Sequence, residues 1–377
     1  MTSKERIIAT LNGQEPDRVP VGEFAVDHEA VEGMLGRPTF WRGHFKTTKA
    51  LWEGRRDEVV WSMIEDLIEF HHKVPLDMIA VSLVPPAGAE IKPYEEIAPG
   101  TYKSDEGDVY KVGESQWLLR VEYAEREYTL DSFPEPGEYV EPDESCWELW
   151  RAVVKEFGDT HFILARSGDA TFPMLGGMEN AMHMMVDSPE ILQRAAETGT
   201  TTNIAMDAMF VREGADGLCP ATDYATSKGP LCSPKWIEEM FLPSMKRQTD
   251  ATHEIGSYAL KHACGNNWAL MDFLIEAGYD AYQAIQESAT MDLAKLKREY
   301  GDKITLWGGV NTETLTKGTP EETRQEVRRA IEIAAPGGRF ILGSSHSIMI
   351  GTRQENFEAM MDEVVRSGEY PNRAKAA

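Results

Sequence analysis

Cysteine is scarce in this 377-residue chain: four residues are too few for a disulfide framework. Basic residues are also outnumbered. Against 63 Asp and Glu stand only 38 Lys and Arg, and the net charge of −25 repels duplex DNA and anionic membrane surfaces alike. No apolar run approaches the roughly 20 residues of a membrane span. The charged opening MTSKERIIATLNG has no apolar stretch of the kind a secretory signal carries. These absences lead us to expect a cytoplasmic protein with reduced thiols and with neither nucleic acid nor membrane as partner. Phosphate loops of the forms G-x-x-x-x-G-K-S/T and G-x-G-x-x-G are missing too, so nucleotide chemistry is not indicated. Gly176-Gly177, Gly308-Gly309 and Gly337-Gly338 read as turn glycines, and there is no low-complexity block or solenoid repeat.

What is present is a recurring unit. With 42% hydrophobic residues the chain has ample material for a core. Short β-rich runs ending in polar residues or glycine stand at Arg18–Gly22, Asp77–Ser82, His161–Ala165, Gly217–Pro220, Ser257–Lys261, Asp280–Ile285, Ile304–Gly308 and Arg339–Gly343. Helical periodicity fills most of the intervals. In Trp268–Gly278, Leu270, Phe273, Leu274 and Ala277 share a face and Gly278 stops the helix. Pro320 opens another helix, with Thr319 as its N-cap. Strands alternating with helices pair in parallel through crossovers, and eight such units predict an α/β fold, the (β/α)8 TIM barrel. A doubly wound open sheet is the alternative. Residues 1–377 read as one barrel domain, with a β-hairpin insertion after the second strand at about 96–140. Its turns are expected at Asp105-Glu106-Gly107 and Gly113-Glu114. Such an insertion could cap a site or mediate dimer contacts.

Barrel chemistry sits just past the C-terminal ends of the strands. Those positions hold Glu23, Asp27 and His28, then Ser167 and Asp169, then Asp223 and Tyr224. His262-Ala-Cys264, Gln286-Glu287, Asn311, and Ser344-Ser345-His346 complete the set. At a strand end, residues i and i+2 point the same way, so His262 and Cys264 could hold one borderline metal, for which zinc is the usual choice. The plainer alternative is a small buried thiol beside a hydrogen-bonded imidazole. Cys219, next to Pro220, reads as core, and Cys146 and Cys232 as inert. His346, on a polar tip after FILG, is a candidate third ligand, general acid or pocket wall. His71 and His72 end a helix, where they cap carbonyls and favour the dipole. Met174, Met178, Met182, Met184 and Met185 are flexible core filling or an adaptable surface for a planar cofactor or partner.

At these residues the chain resembles the uroporphyrinogen decarboxylase superfamily, barrels that include true decarboxylases and corrinoid-dependent methyltransferases. The resemblance runs from MTSKERIIATLNGQEPDRVPV through GADGLCPATDYATSKGPLCSPKWIEEMFLPSMKR to HACGNNWALMDFLIEAGYDAYQAIQ and GGRFILGSSHSIMIGTRQENFEAM. It implies decarboxylase carboxylate clamps, an Arg after the first strand and an Asp after the second, but VPVGEFAVDHE and LDMIAVSLVPP lack both. His346 does match the decarboxylases' late His. The methyltransferase branch implies His-x-Cys, met by His262 and Cys264, and a later Cys, replaced here by Ser344-Ser345-His346. Without that thiolate, the resemblance suits a donor whose leaving oxygen or nitrogen needs a Lewis acid or a proton.

The expectation is a methyltransferase acting on a small methoxylated donor, aromatic ones included, or on a methylamine-type donor. Cobalamin would arrive on a partner corrinoid protein, because the D-x-H-x-x-G cobalt-ligand pattern is absent. The resemblance makes catalytic candidates of His346, Glu23 and Asp223, and substrate-binding candidates of Tyr224, Asp169, Glu287 and Asn311. His262, Cys264 and His346 become the zinc candidates, and a homodimer is compatible with the family. Decarboxylation of a tetrapyrrole or smaller acid is one alternative; non-catalytic tetrapyrrole or corrinoid binding is the other.

Overall fold

A computed structural model describes residues 1–135 and 139–370. Seven of the eight β-rich runs form one parallel sheet: β1 (Met78–Val81), β6 (Phe162–Ala165), β7 (Gly217–Leu218), β10 (Tyr258–His262), β11 (Ala281–Gln283), β12 (Thr305–Val310) and β13 (Phe340–Ser344), hydrogen-bonded in that order. The remaining run, Arg18–Gly22, is not a strand. It is an irregular stave that makes a single parallel bridge, Val21 to Leu342, and still spans the gap between β13 and β1. Gly22 N–H donates to the Leu342 carbonyl at 2.9 Å, and Asp77 N–H to the Val21 carbonyl at 2.7 Å. On that second side the ladder is completed by a side chain, since buried Asp77 accepts from Val21 N–H at 2.8 Å. The same carboxylate takes Arg6 at 2.5 Å and Arg18 at 2.9 Å, a charge knot that clamps the chain's first helix and first stave to the start of β1. The barrel is therefore closed with seven regular strands and one pinned segment.

Period-two alternation sorts the side chains. Met78, Phe162, Leu164, Cys219, Leu260, Ala281, Trp307 and Ile341 form the apolar filling inside, joined by Ile7 and Leu11 from the first helix. Cys219 is core, as its neighbour Pro220 suggested. Outside the sheet, helices bury a second apolar layer, among them Phe70, Trp150, Phe241, Leu274 and Phe357. The helix beginning at Pro320 runs to Ala334 behind a full Thr319–Glu322 capping box. Trp268–Leu270 is a 3-10 turn leading into the helix Met271–Glu276, and Gly278 takes φ +94° after it.

The insertion follows β1, the second stave, and forms a four-stranded antiparallel sheet: β2 (Glu95–Ala98), β3 (Thr101–Lys103), β4 (Val109–Val112) and β5 (Leu118–Glu122). Both expected turns fall between its strands. Its strands end at Glu122, short of the expected 140, and residues 136–138 of that expected span lie outside the described residues. A two-stranded ribbon, β8 (Ala225–Thr226) with β9 (Gly229–Pro230), follows β7. No helix among the described residues is long and apolar enough to cross a membrane.

Candidate active site

Above the apolar filling the inward positions turn polar. Continuing the alternation of Phe162 and Leu164 brings Arg166 inward; Leu260 is followed by His262, and Ala281 by Gln283. His262 and Gln283 are paired in register, and the amide oxygen of Gln283 accepts from His262 Nδ1–H. The same amide donates from Nε2 to the His346 carbonyl at 2.8 Å. One glutamine thus ties the His262 imidazole to the His346 backbone, and the two ring centroids lie 5.4 Å apart at 86°. Asp223 is half-buried, with Oδ1 4.0 Å from His262 Nε2, and it accepts the Cys264 N–H at 2.7 Å. Burial pushes His262 down to about 4, so the imidazole is neutral with its proton on Nδ1. Burial lowers His346 as well, against the nearby Asp223 and Asp27.

Phe24 sits at the centre of this layer. Its ring stacks on His262 at 4.3 Å, and the Arg166 guanidinium lies over it at 4.6 Å. Beside it, Arg42 Nε donates to Asp27 at 2.7 Å, and His44 Nε2 lies 3.2 Å from the same oxygen. The loop after the first stave carries no Arg in its opening residues, but it doubles back and delivers Arg42 from further along the chain. The insertion closes over this loop. Trp117 packs on His44 at 4.1 Å, and Tyr123 lies against Gly177, where an added Cβ would meet its ring at 2.7 Å. Because Gly177 also has φ +95°, only glycine suits this contact. The insertion therefore bridges the loops after the first stave and after β6. A cleft of about 480 Å³ between it and the Phe45–Trp52 helix is lined by Arg42, His44, Tyr94, Tyr110 and Trp117.

Several residues singled out from the sequence lie elsewhere or are already engaged. Tyr224, expected to bind substrate, is fully buried: its hydroxyl meets Thr171 and Lys261, so it is framework. Asp169, expected in the same role, is buried against the Lys261 ammonium and accepts from Thr171 Oγ1 at 2.6 Å and Thr222 N–H at 3.0 Å. Burial would raise its carboxyl, but the Lys261 charge wins and holds it below the ordinary carboxylate range. Glu287 turns to Arg329 at 2.7 Å, and Asn311 caps a helix by accepting from Glu313 N–H at 2.9 Å. Asn311 lines a separate outer cleft of about 600 Å³ that none of the mouth residues reach. Glu23 is enclosed, accepting from Ser344 N–H at 2.7 Å and Ser344 Oγ at 2.6 Å; burial drives it up to about 8, so it ties the first stave to β13 as a protonated acid. His71 is buried on the Leu67 carbonyl at 2.8 Å and pushed down to about 4, so as a neutral ring it cannot serve the helix dipole as a cation. Met174 and Met178 are exposed, whereas Met185 is core.

The expected zinc set does not converge. Among the described residues, no three His, Cys, Asp or Glu side chains are arranged to hold a metal ion. With no cation beside it, the Cys264 thiol is pushed up to about 12 by burial together with Asp223. As placed, these residues do not fit zinc. The sequence reading missed Phe24, Gln283, Arg42 and Arg166. For Gln283 and Arg166 a signal existed: each occupies the next inward position after an apolar inward residue on its strand.

Residues 170–367 match the model of the uroporphyrinogen decarboxylase (URO-D) family. The chain is 27% identical over 104 residues to uroporphyrinogen decarboxylase of Thioalkalivibrio sulfidiphilus, covering 28% of each chain. To the chloroplastic uroporphyrinogen decarboxylase of Nicotiana tabacum it is 29% identical over 153 residues, 40% of this chain and 37% of that one. It thus spans between a quarter and two fifths of the length of these curated relatives. A solved methyltransferase from Methanosarcina mazei shares the fold at TM-score 0.69 and 17% identity, covering 97% of this chain and 99% of its own. The family match includes the strands that carry His262 and Gln283 and the loop after β13 that carries His346, and on it this chain belongs to the uroporphyrinogen decarboxylase family.

Proposed function

We propose that this chain is the donor-binding component of a corrinoid-dependent methyltransferase. It would take the methyl group of a small methoxylated, foremost aromatic, or methylamine-type substrate and pass it to the cobalt of a separate corrinoid protein. The observation that carries the reading is the imidazole pair at the barrel mouth, His262 and His346, with Gln283 joining the His262 ring to the His346 backbone next to half-buried Asp223.

A corrinoid bound by the partner would supply the nucleophile for the methyl carbon. The chain's own work is to hold the donor, limit water and meet the charge left on the departing oxygen. His346 Nδ1 lies 3.1 Å from Ser347 Oγ, which leaves Nε2 for the substrate. From there it donates a hydrogen bond and then the proton to the leaving oxygen, and Asp223 carries the replacement proton from water. His262, fixed as the Nδ1–H form, sets the orientation of His346 edge-on. The insertion shields one side through Trp117 and Tyr123. Exposed Trp117, Leu119 and Val121 with Met174 and Met178 offer the kind of apolar surface a partner protein covers. The M. mazei fold relative is described as a methyltransferase, which supports this reading.

Decarboxylation, suggested by the relatives' names and the late His346, is the second reading. Against it stands the mouth's supply of cations: it offers two guanidiniums, Arg166 and an Arg42 whose Nε is on Asp27, and an octacarboxylate substrate needs several more such partners. The test is methyl transfer to free cob(I)alamin from a panel of methoxyarenes and methylamines. Transfer is expected, with His346→Ala slowing it about 10²- to 10⁴-fold. No transfer across the panel, with carboxyl loss from an octacarboxylate porphyrinogen, would overturn the reading in favour of decarboxylation.

A further inference from the structure

Every other arginine among the described residues donates to a carboxylate or a carbonyl; the guanidinium of Arg166 makes neither an ion pair nor a hydrogen bond, and its Nε is buried without a partner. In a chain carrying 63 acidic residues, an unanswered guanidinium is a local reversal of the overall charge. Its place is informative as well. Arg166 follows Leu164 on the inward face of β6, half-buried at the mouth, with its charge over the same Phe24 ring that stacks on His262. Arg42 lines the same small cavity and spends only its Nε on Asp27, so a second guanidinium has its terminal nitrogens free. The carboxylic acid in that cavity, Glu23, is occupied by Ser344 and does not neutralise them.

Holding two guanidiniums together in a part-dry place costs free energy, and the fold returns to Arg166 only the face of the Phe24 ring and the more distant charge of Asp27. We propose that Arg166, assisted by Arg42, is the anion anchor of the mouth and that the substrate is a carboxylate, whose two oxygens match the planar fork of an arginine. Burial and the neighbouring Arg42 lower Arg166 to about 10, which still leaves it charged at neutral pH. The inference rests on the methyl-transfer reading and narrows its donor to methoxylated aromatic acids, with the carboxylate at Arg166 and the methoxy end toward His346.

Binding tests it without turnover. Titration calorimetry and thermal shift would compare 4-methoxybenzoate, its neutral counterpart 4-methoxybenzamide, acetate and inorganic phosphate. The expected result is binding of the benzoate and not the amide, weakened about 10- to 100-fold in Arg166→Met and less in Arg166→Lys. Without ligand, Arg166→Met should melt higher than the parent, because it removes an uncompensated buried charge; a structural arginine would give the opposite sign. Equal binding of benzoate and benzamide, unchanged binding in Arg166→Met, or a lower melting point for that variant would overturn the proposal. Arg166-dependent binding of phosphate but no carboxylate would overturn its choice of anion. Failure of methyl transfer alongside Arg166-dependent benzoate binding would sink the reaction and leave the anchor standing.

Discussion

At the scale of residues, the mouth runs on burial as much as on charge. Glu23 is the clearest case, a carboxyl lifted to about 8 by desolvation although two hydrogen bonds from Ser344 pull it the other way. Its folded value lies above its unfolded one, so its contribution is fully present at low pH and is lost as pH rises through about 8. Asp207, lifted to about 7 by burial and the nearby Asp169, adds the same sign over a narrower range. Buried His262 and His71 act with the opposite sign at lower pH, so the measurement is the difference in urea midpoint between the parent and Glu23→Gln, which should shrink as pH rises through about 8. A difference independent of pH would show that the acid is ionised in the folded protein. The Lys261–Asp169 pair behaves oppositely. Removing the lysine, as in Lys261→Met, strands a buried carboxylate and should cost about 3–5 kcal/mol in chemical denaturation. Metal content checks the chemistry of Cys264: stoichiometric zinc that vanishes in Cys264→Ser would mean that a third donor swings in, whereas the placement here leads us to expect none.

At the scale of elements, the insertion and the barrel are separable. Strands β2 to β5 make no ladder bonds to the barrel sheet and reach the mouth through Trp117 on His44 and Tyr123 on Gly177. Trp117→Ala should thus leave the thermal midpoint nearly unchanged and raise the donor KM about 5- to 30-fold, the equivalent of one to two kcal/mol. A large drop in midpoint with unaltered KM would make Trp117 a packing residue instead. Much of this level was legible in advance. Strand runs announced themselves by β-branched and aromatic content, and Thr319 with Glu322 announced a helix start. Arg18–Gly22 misled because its composition is that of a strand, while its pairing depends on Asp77, 55 residues beyond the run, whose side chain replaces part of the ladder.

At the scale of the whole molecule, the net charge of −25 shapes how anything reaches the mouth. A corrinoid partner presenting a basic patch would be steered in, and its association rate should fall as ionic strength rises, with dissociation changing far less. A rate indifferent to salt would place the contact on the apolar surface around Trp117 and Met178 alone. The same negative field repels small acids at a distance. An anionic substrate must then be won at short range, and an unpaired Arg166 inside the mouth meets that need.

The sequence by itself determined the class of fold, the insertion and the stretches from which the site is drawn, because local composition, turn residues and strand alternation are properties of neighbours along the chain. It also placed His262, Asp223, Cys264 and His346 at strand ends. Tertiary structure alone decided which strand-end residues are free to act. Tyr224, Asp169, Glu23 and Glu287 look as available as His346 in one dimension. Each is taken by a partner distant in sequence, respectively Thr171, Lys261, Ser344 and Arg329. Arg166 is exceptional for the opposite reason: no partner comes to it. Whether a charge is answered depends on every chain segment that packs around it, and that is decided only when the barrel closes.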